Sequence, residues 1–384
     1  MNTVKNYILG NWETGTGIEY TARHAITGED YAQVSSEGLD YKAILEYGRS
    51  VGGPALRKMT FQERGRMLKA LALHLTGIKR QFYDVSWATG ATKVDSWIDI
   101  EGGIGNLFAN ASLRRQFPDL PYYVDGDLAR LSKEGTFIGH HIMVPRHGVV
   151  VHINAFNFPI WGMLEKIVVN LMAGVPCVVK PSEYTSYLTE VMVKAIIDSG
   201  ILPDGALQLV SGKGRGILDH VDFQDVVTFT GSASTGQVLR GLPHINERSV
   251  PFNLEADSLN ASVLGLDVKP EDPEFALFVR ELVNEMTVKA GQKCTAIRRA
   301  MVPEHLLPSV QDAVIARLQN TAIGDPQAEG VRMGALATHD QIGRVEAEMN
   351  KLLAQQELVY NPSLELIGAT NAGAFYSPKL FVNA

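Results

Sequence analysis

The amino-acid sequence predicts an α/β protein: an open, doubly wound parallel sheet, in a chain long enough for a second domain. Three observations predict it. From Gly148 onward, short β-branched runs alternate with amphipathic stretches, the pattern of parallel strands covered by helices. Polar loops follow these runs at their carboxyl ends, where open α/β sheets bind ligands. The chain has 384 residues, 45% hydrophobic and 20% charged, which fits two well-buried domains and not a disordered or coiled-coil chain.

Taken in order, the first 120 residues read as helical cladding around Leu68, Leu71, Leu73 and Leu75, with no visible chemistry. Within a region of about 125–147, Leu131 to Ile138 reads as an extended β arm with a glycine turn. Such arms pair with another subunit, so a homo-oligomer is expected. The expected strands are Val149 to Ile153, Val175 to Val179, Leu207 to Val210, Asp225 to Phe229 and Ser262 to Leu266. Trp161 to Met172, Thr185 to Asp198 and Thr235 to Leu239 read as the helices between them, joined by right-handed crossovers. A further helix, Glu274 to Lys289, puts Phe275, Phe278, Val279, Leu282, Val283 and Met286 on one face and stops at Gly291, just before Cys294.

Composition excludes several functions. A formal charge of -7, from 35 basic and 42 acidic residues, gives no basic footprint for nucleic acid or anionic lipid. No 18 apolar residues run together, Ile167 to Val179 being broken by Asn170, and Met1 to Trp12 lacks a signal-peptide pattern; a cytoplasmic protein is expected. Cys177 and Cys294 lie far apart without Cys-x-x-Cys spacing, which argues against disulfides and thiolate zinc. His140, His141 and His152 lack an acidic third ligand, and there is no H-E-x-x-H, P-loop or G-x-S-x-G, so no metal is expected.

Several residues remain as candidates, each with a plainer reading beside it. Cys294 sits among Lys293, Arg298 and Arg299, whose charge would favour a nucleophilic thiolate; otherwise it is a free structural cysteine. Cys177, in a buried strand, reads as a filler. Glu255 ends the apolar approach Val250 to Leu254, where partial desolvation would suit a general base, although a lone acid is usually solvated; Asp257 is the natural partner of a backbone amide. The turn from Phe229 through Thr230, Gly231 and Ser232 to Thr235 presents a helix N-terminus to an anion such as a pyrophosphate, but such turns are common, and Gly212, Gly214 and Gly216 are weaker still. Lys180 and Glu183 are placed for ribose or phosphate, although either alone reads more plainly as part of a solvated loop. Asn157 is either an oxyanion donor or a helix cap.

Together, Asn154 to Pro159, Lys180-Pro181-Ser182-Glu183, Phe229 to Ser232, Leu254-Glu255 and Gly291 to Cys294 resemble, in order and spacing, the motifs of the aldehyde dehydrogenase superfamily. Ser36 to Asp40, Asp99 to Gly105, Glu255 to Asn260 and Cys294 to Arg299 are similar to a narrower group. It comprises the semialdehyde dehydrogenase half of the phenylacetate-degradation ring-opening enzyme, where it is fused to an oxepin-CoA hydrolase, and the dehydroadipyl-CoA semialdehyde dehydrogenase of benzoyl-CoA epoxidation.

The resemblance implies a dinucleotide-binding domain over 1–253 and a catalytic domain over 254–384. It implies that Cys294 attacks an aldehyde, that Asn157 and the Cys294 backbone N–H hold the oxyanion, and that Glu255 activates the hydrolytic water. It also implies an NAD or NADP site built from Ile153, Asn154, Lys180, Ser182, Glu183, Gly212, Thr230, Gly231, Ser232 and Thr235, with a CoA-linked semialdehyde as substrate. A carboxylate at Glu183 would repel a 2′-phosphate and so favours NAD. Three departures stand out: Ala256-Asp257-Ser258 replaces Leu-Gly-Gly, Glu183 replaces the small neutral residue of NADP-using members, and the chain stops at Ala384 before the family's Glu-x-Phe-Gly-Pro segment. The catalytic domain is therefore expected to be incomplete, with little turnover and no hydratase-like domain. An acylating dehydrogenase and an inactive dinucleotide-binding fragment are the alternative readings; the former has no need of Glu255.

Overall fold

The structure, a computed structural model, describes residues 1–383. Its centre is a seven-stranded sheet: β1 (Asn6–Ile8), β2 (Asn11–Glu13), β3 (Val150–Ile153), β4 (Cys177–Lys180), β5 (Leu207–Leu209), β6 (Val226–Gly231) and β7 (Phe252–Ala256), in the order β7-β6-β3-β4-β5-β1-β2. The five strands from β7 to β5 are parallel, while β1 and β2 extend the edge antiparallel. The order reverses between β3 and β6, and at such a switch point a crevice opens beyond the strand ends.

Period-two alternation explains why these strands are buried on both faces. Cys177, Val179, Leu207 and Leu209 point into one apolar cluster, shared with α1 (Pro159–Ala173) and α2 (Ser186–Asp198). Val149, Val151, Val178, Val210 and Val227 point into the opposite one, closed by Ile44, Leu45, Ile217 and Ile245. Each buried valine or leucine contributes about 1.5–3 kcal/mol, enough to fix register, since a one-residue slip would exchange the two faces. α1 starts at Pro159, whose missing N–H is no loss at a helix start, and ends at Gly174 in the left-handed conformation (φ 83°).

The N-terminal segment departs from the expected cladding. Helices are present, Phe61–Gly77 among them, but five short strands precede them, and β1 and β2 join the main sheet. Arms of two or three residues such as Asn11-Trp12-Glu13 carry too little apolar signal to register as strands; the sheet edge supplies their partners. The β arm is a hairpin of Tyr123–Arg130 and Ile138–Met143, so Leu131 to Ile138 is mostly its turn. The strand expected at Ser262 to Leu266 is Ala261–Val263. It pairs parallel with Arg299–Met301 outside the main sheet.

Beyond β7, α3 (Pro273–Thr287) buries Phe275, Phe278, Val279, Leu282 and Val283 against the helix Leu307–Gln319. The expected division at 253/254 falls inside β7, which is hydrogen-bonded along its length to β6. No helix among the described residues is long and apolar enough to cross a membrane.

Candidate active site

A cleft of about 1300 Å³ lies at the carboxyl ends of β3, β4, β6 and β7, where the topology reverses. Ile153, Asn154, Lys180, Ser182, Glu183, Thr230, Gly231, Ser232 and Thr235 all line it, as do Asn157, Glu255 and Cys294. Gly212 alone among the candidates does not. Its φ of +93° turns it into Glu19 and Ser36, where a Cβ would stand 2.5 Å from Glu19 Oε2, while Lys213 and Gly214 face the cleft instead.

Cys294 follows a sharply folded segment. Lys289 and Ala290 are both left-handed (φ 54° and 51°), a conformation that costs about 1–3 kcal/mol per non-glycine residue and persists only where the surroundings enforce it. The Asn260 amide holds the loop from the other side, donating to the Cys294 carbonyl (2.7 Å) and the Ala296 carbonyl (3.3 Å). The thiol is exposed to the cleft, and its backbone N–H is turned toward its own sulfur.

Across from it stands Glu255 in β7, within hydrogen-bonding reach of the thiol. Thr230 steers this carboxylate, its hydroxyl donating to Glu255 Oε2 at 3.1 Å. Partial burial first, then the charge and close approach of Glu255, push the Cys294 thiol above its ordinary pKa, with a further push from Glu165. The expectation that cations would activate the thiol is thus corrected. Lys293 Nζ turns back to Glu285 (2.6 Å), Arg298 binds the Lys293 carbonyl (2.8 Å), and Arg299 sits in an exposed strand. The desolvated setting expected of Glu255 is also absent, because its side chain is exposed.

Asn157 reaches the same loop, its amide donating to the Gln292 carbonyl at 2.9 Å. It does not cap α1. That helix begins at Pro159 behind Phe158, and its first-turn amides, those of Ile160 and Trp161, donate to Asp99 Oδ1 at 3.1 and 2.7 Å. Burial raises the Asp99 carboxyl to about 7 against the pull of these amides and of Lys289. Cys177, the other thiol, is buried and pushed far up by desolvation.

The remaining groups suit a dinucleotide. Asn154 is 4% exposed, and neither its Nδ2 nor its Oδ1 has a partner, an orphaned amide that a ribose or nicotinamide would satisfy. The helix Ala233–Arg240 opens at Ser232, whose Oγ accepts from the Thr235 N–H (3.3 Å), and its first amide, of Ala233, donates to Asp257 Oδ2 (3.3 Å), as expected of that aspartate. Lys180 is buried and held near Glu183 (3.4 Å), which lowers the net charge that Glu183 offers a 2′-phosphate; Lys213 and Arg215 line the same rim. The sequence placed Asp99 and Asn260 within motif stretches without giving either a role, and it did not single out Glu165. Glu165 accepts from Trp161 Nε1 (2.8 Å) and pairs with Lys166 (3.0 Å) on the cleft wall. Helical spacing from Trp161 was the available signal.

Known proteins match this arrangement. The sequence agrees with the aldehyde dehydrogenase family over residues 12–384. It is 41% identical over 379 residues, 98% of this chain and 74% of the relative, to 3,4-dehydroadipyl-CoA semialdehyde dehydrogenase of Aromatoleum evansii. It is 29% identical over 335 residues, 85% of this chain and 63% of the relative, to D-glyceraldehyde dehydrogenase (NADP(+)) of Picrophilus torridus. In fold it follows a Mycobacterium tuberculosis aldehyde dehydrogenase complexed with NAD+, with a TM-score of 0.85 at 23% identity over 99% of this chain and 76% of that one. With the match running through both the sheet and the cysteine loop, the chain belongs to the aldehyde dehydrogenase family.

Proposed function

We propose that the protein oxidises a CoA-linked semialdehyde to the carboxylic acid with a nicotinamide dinucleotide, residues 1–253 binding the cofactor and 254–384 bearing the nucleophile. One observation carries this reading: Cys294 and Glu255, from separate stretches of chain, meet in one cleft at the switch point of the sheet. The Cys294 sulfur adds to the aldehyde carbon to give a thiohemiacetal, the thiol proton passing to Glu255 or solvent. The Cys294 backbone N–H and the Asn157 amide, released from or shared with Gln292, stabilise the oxyanion. The dinucleotide supplies the hydride acceptor. Loss of hydride leaves a thioester on Cys294, and Glu255 takes a proton from the water that hydrolyses it, returning the thiol and releasing the acid.

Asn154, Lys180, Ser182, Glu183, Thr230 to Ser232 and Thr235 would bind and orient the dinucleotide, with Lys213 and Gly214 in place of Gly212. Glu183 favours NAD over NADP, tempered by its pairing with Lys180. The CoA-linked substrate is supported by the 41% identical relative, named for a CoA semialdehyde; the semialdehyde of phenylacetate degradation is the second substrate to try. Aldehyde-dependent reduction of NAD and NADP by the purified chain, with both CoA semialdehydes and simple aldehydes, tests the proposal. Glu255→Gln should release one burst of reduced cofactor per site and then stall. Unchanged steady-state turnover in that variant would point instead to acyl transfer to CoA.

A further inference from the structure

Behind the cleft, the segment 89–99 and the turn before Cys294, distant from each other in sequence, meet in a buried polar cluster. Lys289, 3% exposed, donates its ammonium to Thr89 Oγ1 at 3.1 Å and its backbone N–H to Asp95 Oδ1 at 2.7 Å. Asp95 is itself fixed, accepting from the Thr92 N–H at 2.8 Å. Asp99, within electrostatic reach of the same ammonium, accepts the first-turn amides of α1 directly behind Asn157 and Phe158. From Lys289 the order continues into the cleft. Its carbonyl accepts from the Gln292 side chain (2.9 Å), and the Gln292 carbonyl accepts from Asn157. The left-handed backbone at Lys289 and Ala290 is therefore pinned at its start by groups on the segment 89–99, which also anchors the wall that carries Asn157.

We propose that Lys289, held by Thr89 and Asp95, is a positioning residue that fixes the Cys294 loop against Glu255 and Asn157. The proposal rests on Cys294 and Glu255 as the reacting pair. Lys289 touches neither substrate nor cofactor, since it lies behind the cleft and is absent from its lining. Removing the ammonium deletes the bond to Thr89 and the positive charge facing Asp95 and Asp99, so the turn keeps its backbone tie to Asp95 but loses its side-chain tie to the segment 89–99, the loop relaxes and the sulfur draws away from Glu255.

The test is a double-mutant cycle on the full chain, read as the second-order rate constant for iodoacetamide alkylation of Cys294 at neutral pH. This rate constant belongs to each folded molecule and does not depend on dehydrogenase turnover. Glu255→Gln should accelerate alkylation of the parent protein by up to about tenfold, the factor of one pKa unit. In a Lys289→Met background alkylation should already be faster, and adding Glu255→Gln should change it by less than about twofold, the non-additivity of groups acting as a unit. Thr89→Val, which deletes only the hydroxyl, provides a second background for the same cycle should Lys289→Met fail to fold. Equal acceleration by Glu255→Gln in parent and variant would overturn the positioning role, even if the melting temperature falls. No effect of Glu255→Gln in the parent would overturn the reacting pair itself, and the inference with it.

Discussion

At Cys294 the charge balance runs opposite to the one that neighbouring basic residues imply. Lys293 is adjacent in sequence, yet successive side chains in an open loop point apart, and its ammonium is spent on Glu285. What faces the sulfur is negative: Glu255 directly and Glu165 farther off. The thiol is therefore held protonated at neutral pH, and its reactivity should still be climbing as pH passes the ordinary free-cysteine range of about 8.5. Mapping iodoacetamide adducts by mass spectrometry should find Cys294 modified and Cys177 untouched in the folded protein, because burial both shields Cys177 and disfavours its thiolate. Adducts forming on Cys177 at a comparable rate would mean that the sheet core opens readily.

At the level of elements, α1 illustrates what sequence shows and what it hides. Its body was legible: the apolar spacing expected over Trp161 to Met172 is that of a helix packed on a sheet, and the structure extends it to Pro159–Ala173, with Gly174 as its cap. Its N-terminal partner was not, because Asp99 sits some sixty residues earlier and no local pattern links it to the Ile160 and Trp161 amides. The same holds for Asn260 against the Cys294 carbonyl and for Thr89 against Lys289. Motif residues with their own loop chemistry could be read; the groups that hold those loops come from elsewhere and are visible only in the fold. The edge strands β1 and β2 were hidden for a related reason, since a three-residue strand takes its identity from the sheet it joins. Two glycines, one just past the end of a helix and one inside a helix, give opposite predictions. At Gly174 a Cβ would lie 1.9 Å from an Arg64 Nη1 that is itself buried without a hydrogen-bond partner, on a backbone already left-handed. Gly174→Ala should therefore destabilise by at least about 2 kcal/mol. Gly343, inside the helix His339–Leu353 with open space around it, should gain about 0.5–1 kcal/mol on replacement by alanine. Denaturant midpoints compare the two variants directly. A neutral Gly174→Ala would mean that the Arg64 side chain has room to withdraw.

For the molecule as a whole, the hairpin Tyr123–Arg130 and Ile138–Met143 is the element its own chain explains least. Leu128, Leu131, Phe137, Ile138 and Ile142 are all more than half exposed along it. A two-stranded ribbon is marginal by itself in water, and one carrying this much uncovered apolar surface along with free edges invites association. The arm is expected to lie on a second copy of the chain, where self-complementary contacts would cover both hairpins at once. Charge placed on the exposed face then has a predictable effect: Ile138→Lys with Ile142→Lys should weaken self-association by at least about a hundredfold, since burying two unpaired ammonium groups costs several kcal/mol. The cleft is walled by the ends of β3, β4, β6 and β7 and by the loop after α3, none of which includes the hairpin. Sedimentation equilibrium on parent and double variant, with Cys294 alkylation measured alongside, separates assembly from the site. A monomeric parent at tens of micromolar would defeat the expectation, and an oligomer indifferent to both lysines would place the contact on another surface.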